Sequence, residues 1–224
     1  MIFRDVQLLN YGKHSDERLE QNRYLMFYWE NLRDIFCINL PNKLDLIGIS
    51  KLNIQLRNFD GNEYQSPSLD GIATFRRNDF DFDEFCELPD HEKSVKSLYY
   101  IEDSLLTVCK KFKAPEETIS AIRSAAEAVI SSNFEHYRIH KKTTKWNKNR
   151  SLRAVTHLHH KNGGIDANLV VTDKLGNIKL KTKILNNQRW EVVWSDLWKG
   201  YWKDSSFVIE DRVGKTFSSI DASA

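Results

Sequence analysis

The chain has 224 residues, 41% of them hydrophobic and 12% aromatic, which is enough to bury a core and too many for a disordered segment. Its 33 Lys and Arg nearly balance 31 Asp and Glu, so no field of one sign marks the whole chain as a nucleic-acid or membrane binder. No stretch approaches the roughly 20 apolar residues that cross a bilayer, and Met1-Ile2-Phe3-Arg4-Asp5 lacks the basic and apolar segments of a secretory signal. The expectation is a soluble cytoplasmic protein with no membrane contact. Cys37, Cys86 and Cys109 are odd in number, widely spaced and not in CxxC pairs, which fits reduced, buried thiols better than a disulfide framework or a zinc site.

Only 4 prolines and 9 glycines punctuate the chain, with no repeat or linker, and this predicts one domain over residues 1–224. Within it, residues 1–88 read as a helix plus strands, 89–140 as a helical pair and 151–217 as an antiparallel meander. Ser15-Asp16-Glu17 resembles a helix start, after which Leu25, Tyr28, Trp29, Leu32, Ile35 and Phe36 recur at helical spacing until Pro41. Leu44, Leu46, Leu52, Ile54 and Leu56 then suggest a strand or a pair, with Asp60-Gly61 as turn chemistry, and a further strand is expected from Ile72 through Phe75 to Phe85.

The next helix begins near Asp90 with Val95, Leu98, Ile101, Leu105, Val108 and Phe112 along one stripe. Its partner places Pro115, Glu116 and Glu117 in the first turn and Ile119, Ile122, Ala126, Val129 and Ile130 on its apolar face. After Arg150 the pattern becomes period two, broken by Asn162-Gly163-Gly164 and Gly176-Asn177, and Phe207–Glu210 reads as the last strand before a polar tail. Strands, helices and strands again give an α+β class: a mostly antiparallel sheet shared by both ends of the chain, with about three helices on one side.

Asp79-Phe80-Asp81-Phe82-Asp83-Glu84-Phe85 is the most distinctive local pattern. On a strand its alternation would put carboxylates on one face and rings on the other, and no Lys or Arg falls between Asn78 and His91. A solvated edge is one reading; a surface for a basic partner, formed by Asp79, Asp81, Asp83, Glu84 and Glu87, is the other. A calcium loop is rejected, because its sixth position needs glycine and holds Glu84, and its twelfth holds Asp90 where the longer Glu is usual.

The opposite patch runs from Arg138 to Arg153 without an acid. Arg138, Lys141, Lys142, Lys145, Lys148 and Arg150, with Trp146 as a stacking face, make a phosphate-binding segment the alternative to a solvated loop. His157, His159 and His160 would place only two imidazoles on one face of a strand, one short of a typical metal site. Asp166, Asp173 and Lys179 lack the spacing of a two-metal nuclease. Trp190, Trp194, Trp198 and Trp202 recur every fourth residue, as core packing or as interface anchors.

Gly214-Lys215-Thr216 lacks the glycine that a phosphate loop needs five positions earlier, and no GxSxG or HExxH is present. No catalytic residue, metal site or cofactor is therefore expected, and the chain reads as a binding protein and not an enzyme. In size, in its abundance of Lys, Asn, Ile and Phe, in its acidic patch and in its order of elements, it resembles immunity proteins of bacterial toxin systems. That resemblance implies a cytoplasmic antidote that binds a cognate toxin domain, of which a nuclease is one kind, through the acidic residues. The alternative from another class is a nucleic-acid-binding protein or nuclease using the basic segment 138–153.

Overall fold

The structure, a computed structural model, describes residues 2–10, 16–57, 61–161 and 163–222. The helix start at Ser15 and the turn residues Asp60 and Asn162 lie outside these. The chain divides into two compact units, Met1–Phe134 and Glu135–Ala224.

The first unit runs β1 (Asp5–Asn10), α1 (Asp16–Asn39), β2 (Lys51–Leu56), β3 (Glu63–Gln65), β4 (Ile72–Arg77), α2 (Phe82–Glu87), α3 (Asp90–Phe112) and α4 (Glu116–Ser131). Its sheet has the order β1-β2-β4-β3, in which β1/β2 and β2/β4 are parallel and β3/β4 antiparallel. The register aligns Val6 with Leu52 and Ala73, and Leu8 with Ile54 and Phe75, all buried, so a single face is hidden from water. The helices cover it: α1 packs on β1, α3 on β2, and α4 on both helices.

The stripe expected on α1 forms as read, with Leu25, Tyr28, Trp29, Leu32, Ile35 and Phe36 all buried. On α3 the buried face is turned from the apolar stripe: Ser94, Ser97 and Ser104 go inside with Leu98, Ile101, Leu105 and Val108, while Val95 and Phe112 are exposed. The serines bring polar partners to a close helix contact. Trp29 Nε1 donates to Ser97 Oγ at 3.0 Å, Tyr28 bonds Ser94, and Arg77 Nη1 donates to Ser104 Oγ at 3.0 Å. Buried polar groups are retained in a core when their hydrogen bonds are made.

The second unit runs β5 (His136–Ile139), β6 (Lys145–Trp146), β7 (Leu152–Lys161), β8 (Gly164–Asp173), β9 (Ile178–Gln188), α5 (Trp190–Asp196), β10 (Lys199–Lys203), β11 (Ser206–Glu210) and β12 (Thr216–Asp221). A 3-10 turn, Lys141–Thr143, lies between β5 and β6. A five-stranded antiparallel sheet has the path β5-β7-β8-β9, with β6 also paired to β7, and β10-β11-β12 form a second antiparallel sheet.

The α+β class and the predominance of antiparallel pairing hold. Among the described residues the single sheet shared by both ends of the chain does not form: their strands fall into three separate sheets, two of them in the second unit. The polar tail is also corrected, since Thr216–Asp221 pairs with β11 as an eighth strand of that unit.

Near-neutrality of the whole chain conceals a division between the units. Residues 1–134 carry 16 Lys and Arg against 22 Asp and Glu, a net −6, whereas residues 135–224 carry 17 against 9, a net +8.

Candidate functional site

In the first unit β4 ends at Arg77, whose guanidinium is almost fully buried yet bonded on three sides. Nε and Nη2 donate to the two carboxylate oxygens of Asp79 at 2.8 and 2.6 Å, and Nη1 donates to Asp103 at 2.7 Å. Its carbon lies 5.3 and 5.1 Å from the ring centroids of Tyr99 and Tyr100. Burial alone would lower the guanidinium pKa, but the hydrogen bonds it donates to both carboxylates outweigh this and raise it. Arg77 in turn holds the Asp79 carboxyl below its usual range.

This node mounts an exposed aromatic among acids. Tyr99 is 50% exposed and Val95, one helical turn earlier, 43%. Around them Asp103 and Glu84 are partly exposed at the side chain, Glu84 reaching Lys96 Nζ at 2.6 Å. Asp83 and Glu87 on α2 and Glu92 in the first turn of α3 are exposed as well.

The alternating strand expected over residues 79–85 is corrected. β4 stops at Arg77, and residues from Phe82 form helix α2. Asp81 Oδ1 accepts from the backbone N–H groups of Asp83 and Glu84 at 2.9 and 3.0 Å, which is helix N-capping. With Glu84 three residues on, Asp81 carries the sequence signature of a capping box, the signal that should have outweighed the alternation. Phe80 and Phe85 are buried against Trp29, at centroid distances of 6.0 and 5.9 Å. Of the five acidic residues singled out, Asp79 and Asp81 are committed to internal bonds, while Asp83, Glu84 and Glu87 stay at the surface.

In the second unit the basic run is a loop only in part. Its first part forms β5, the 3-10 turn and β6, where strand alternation divides it between the two faces of the sheet, and Lys148 and Arg150 lie in the exposed turn before β7 as the loop reading expects. Arg138 pairs opposite Leu158 and Lys145 opposite Ala154, both on the covered face, whereas Trp146 pairs opposite Arg153 on the other. On the covered side the cations meet the regularly spaced tryptophans: Arg138 lies 4.3 Å from the Trp190 ring centroid, Lys142 Nζ 3.4 Å from that of Trp198, and Arg212 4.5 Å from that of Trp194. Trp202 Nε1 donates to the carbonyl of Lys145 at 3.1 Å. These tryptophans are half-buried under cations, so Arg138 and Lys142 already occupy the ring faces that would otherwise stack on a ligand. Lys141, Lys148 and Arg150 are exposed.

The histidines separate as alternation requires. His157 is exposed, His159 stacks on Tyr137 at 4.0 Å, and His160 is buried on the opposite face beside His136 and Trp190. Burial, with Arg138 and His136 nearby, pushes the His160 pKa down to about 3; burial beside Arg138 and Lys142 pushes that of His140 to about 4. Asp166, buried on β8, accepts from Lys161 at 2.8 Å, Lys183 at 3.1 Å and the Asn187 N–H at 2.8 Å. Burial would raise its pKa, and these bonds outweigh it to hold the carboxyl at about 2.

No group of three or more His, Cys, Asp or Glu among the described residues is placed to hold a metal ion. Burial pushes the Cys37 thiol up to about 12 and the Cys109 thiol to about 11, conditions that suppress the thiolate. A depression lined by Arg4, Asp5, Lys51 and Asp70 lies at the amino ends of the parallel strands, and there Lys51 and Arg33 both reach Asp5, at 3.3 and 3.6 Å. No helix among the described residues is long and apolar enough to cross a membrane. No protein-family model, curated protein or solved structure matches the chain.

Proposed function

We propose that the chain is a protein-binding module of the immunity type, which recognises a basic partner domain through the acidic face of its first unit. The observation that carries this reading is the Arg77 node: a half-exposed Tyr99, its ring packed on a buried guanidinium, with carboxylates on either side. A rigidly mounted Tyr is a low-entropy anchor for an interface centre, and the surrounding acids steer and select a partner of opposite charge. The net −6 of this unit extends that preference over its surface.

A nuclease toxin domain presents such a basic surface, because its cleft is built to hold phosphates. Asp83, Glu84, Glu87 and Asp103 would meet the basic side chains while Tyr99 and Val95 supply the apolar centre. The partner-binding set is therefore revised from the sequence: Asp79 and Asp81 support the surface and do not contact the partner.

The test is capture from the source cells on the full-length tagged protein, in parallel with Tyr99→Ala and with Glu84→Lys/Glu87→Lys. The expected result is one stoichiometric basic protein, held by the wild type, lost from both variants, and toxic to cells unless the wild-type chain is co-expressed. Capture of the same proteins by wild type and variants alike would reject the acidic face as the site.

A further inference from the structure

The five-stranded sheet of the second unit has one covered face and one open face, and the open face groups side chains from four strands. β5 contributes Tyr137 and Ile139, β6 Trp146, β7 Arg153, His157 and His159, and β9 Lys181 and Lys183, aligned through the pairs Tyr137↔His159, Ile139↔His157, Trp146↔Arg153, His157↔Asn168 and Asn168↔Lys183. Tyr137 is 66% exposed, Ile139 47% and Trp146 43%, a high exposure for three large apolar side chains on one sheet face.

Each ring is braced from below. His159 stacks on Tyr137 with an interplanar angle of 11°, and Glu135 Oε2 accepts from the Tyr137 hydroxyl at 3.1 Å while meeting His159 Nε2 at 3.0 Å. The Arg153 guanidinium lies 5.8 Å from the Trp146 ring centroid. The acids near this face are engaged: Glu135 with Tyr137 and His159, and Asp166 with Lys161 and Lys183. On a unit of net +8, the open face presents cations and aromatic rings.

We infer that this open face is a binding platform for single-stranded nucleic acid, with bases stacking on Tyr137 and Trp146 and the backbone running toward Arg153, Lys181 and Lys183. The chemistry fits on both counts. Every base has a π-face that an exposed ring receives, and a cationic strip tracks the phosphates. Tyr137 and Trp146 stand opposite His159 and Arg153, six residues apart on β7, which is roughly 20 Å along a strand, a reach that a few extended nucleotides span. A paired duplex buries its base faces in its own stack and cannot use the rings. The site is distinct from the segment 138–153 taken as a whole, since of that run Ile139, Trp146 and Arg153 are placed on the open face, while Arg138 and Lys145 pair on the covered one.

The test uses the full-length protein and fluorescein-labelled 15-nucleotide oligo-dT and oligo-U, with a blunt DNA duplex and heparin as competitors, read by fluorescence anisotropy from 50 to 300 mM salt. The expected result is single-strand binding that loses about tenfold in affinity for each of Tyr137→Ala and Trp146→Ala. Affinity should fall with salt at a slope of about 0.7 per phosphate contact, and Lys181→Glu should reduce that slope. Circular dichroism checks that these surface variants stay folded. Absence of binding at 50 mM salt overturns the inference. So does equal competition by duplex or heparin, or full affinity in the Tyr137→Ala/Trp146→Ala double variant, because each reduces the face to general electrostatics. A bound protein that shields Tyr137 and Trp146 from chemical modification, with no oligonucleotide retained, also overturns it in favour of a protein partner.

Discussion

Arg77 and Asp79, two residues apart at the end of β4, are joined by a two-pronged ion pair in which one partner is buried and the other faces solvent. Removing the exposed partner's charge leaves the buried cation with Asp103 as its one carboxylate, beside the Ser104 hydroxyl. Asp79→Asn is expected to destabilise the first unit by about 1–2 kcal/mol in urea unfolding, below the full cost of an orphaned buried charge because Asp103 remains. Asp79→Asn/Asp103→Asn should cost more than the two single changes combined. Additive costs would show that the two carboxylates do not share Arg77.

Acid should unfold the second unit earlier than its net charge implies. His140 and His160 are held neutral, with pKa values lowered from 6.5 to about 4 and about 3. Below pH 6.5 the unfolded chain takes up protons on these imidazoles that the folded chain refuses, so their contribution is complete above 6.5 and is lost as pH falls toward those values. The slope approaches about 1.4 kcal/mol per pH unit for each group. Urea midpoints at pH 7.5, 6.0 and 5.0 measure it, and His160→Leu should flatten the dependence; identical midpoints across that range would contradict the burial of the two rings.

Gly200 is fixed by space and not by backbone angle. A Cβ there would sit 2.6 Å from Phe207 Cζ and 2.9 Å from the Thr143 Cα. Since the second contact is backbone, Gly200→Ala should push β10 from the 3-10 turn and destabilise the second unit by about 1–3 kcal/mol. A thermal midpoint unchanged from wild type would show that the turn yields freely.

The cation–tryptophan contacts on the covered face predict different responses to loss of charge and loss of length. Lys142→Met keeps the stem over Trp198 and removes the charge, and should cost about 0.5–1 kcal/mol; Lys142→Ala also uncovers the ring and should cost more. Equal effects would make packing the whole of the contact.

Much of the helical framework was legible in the sequence, because α1, α3 and α4 are long and their apolar residues recur at one period. The exact face of α3 was not, since Ser94, Ser97 and Ser104 read as polar and turn inward only because Tyr28, Trp29 and Arg77 offer hydrogen bonds from distant segments. The acidic surface was found for a mistaken reason: Asp81 alternates with phenylalanines as strand residues do, yet its side chain caps a helix. The open sheet face was hidden because Tyr137, Trp146, Arg153 and Lys181 become neighbours only through strand pairing. The pairing of the basic run with Trp190, Trp194 and Trp198 was hidden likewise, as it joins residues some 50 positions apart.

The central claim, that two units of opposite charge present two faces to two kinds of partner, is tested most directly by placing a photo-crosslinking amino acid at position 99 or at position 137 of the full-length protein in its source cells. Crosslinks from position 99 to a single basic protein, and from position 137 to nucleic acid, are the predicted result. The same products from both positions, or no protein captured from position 99, would contradict it.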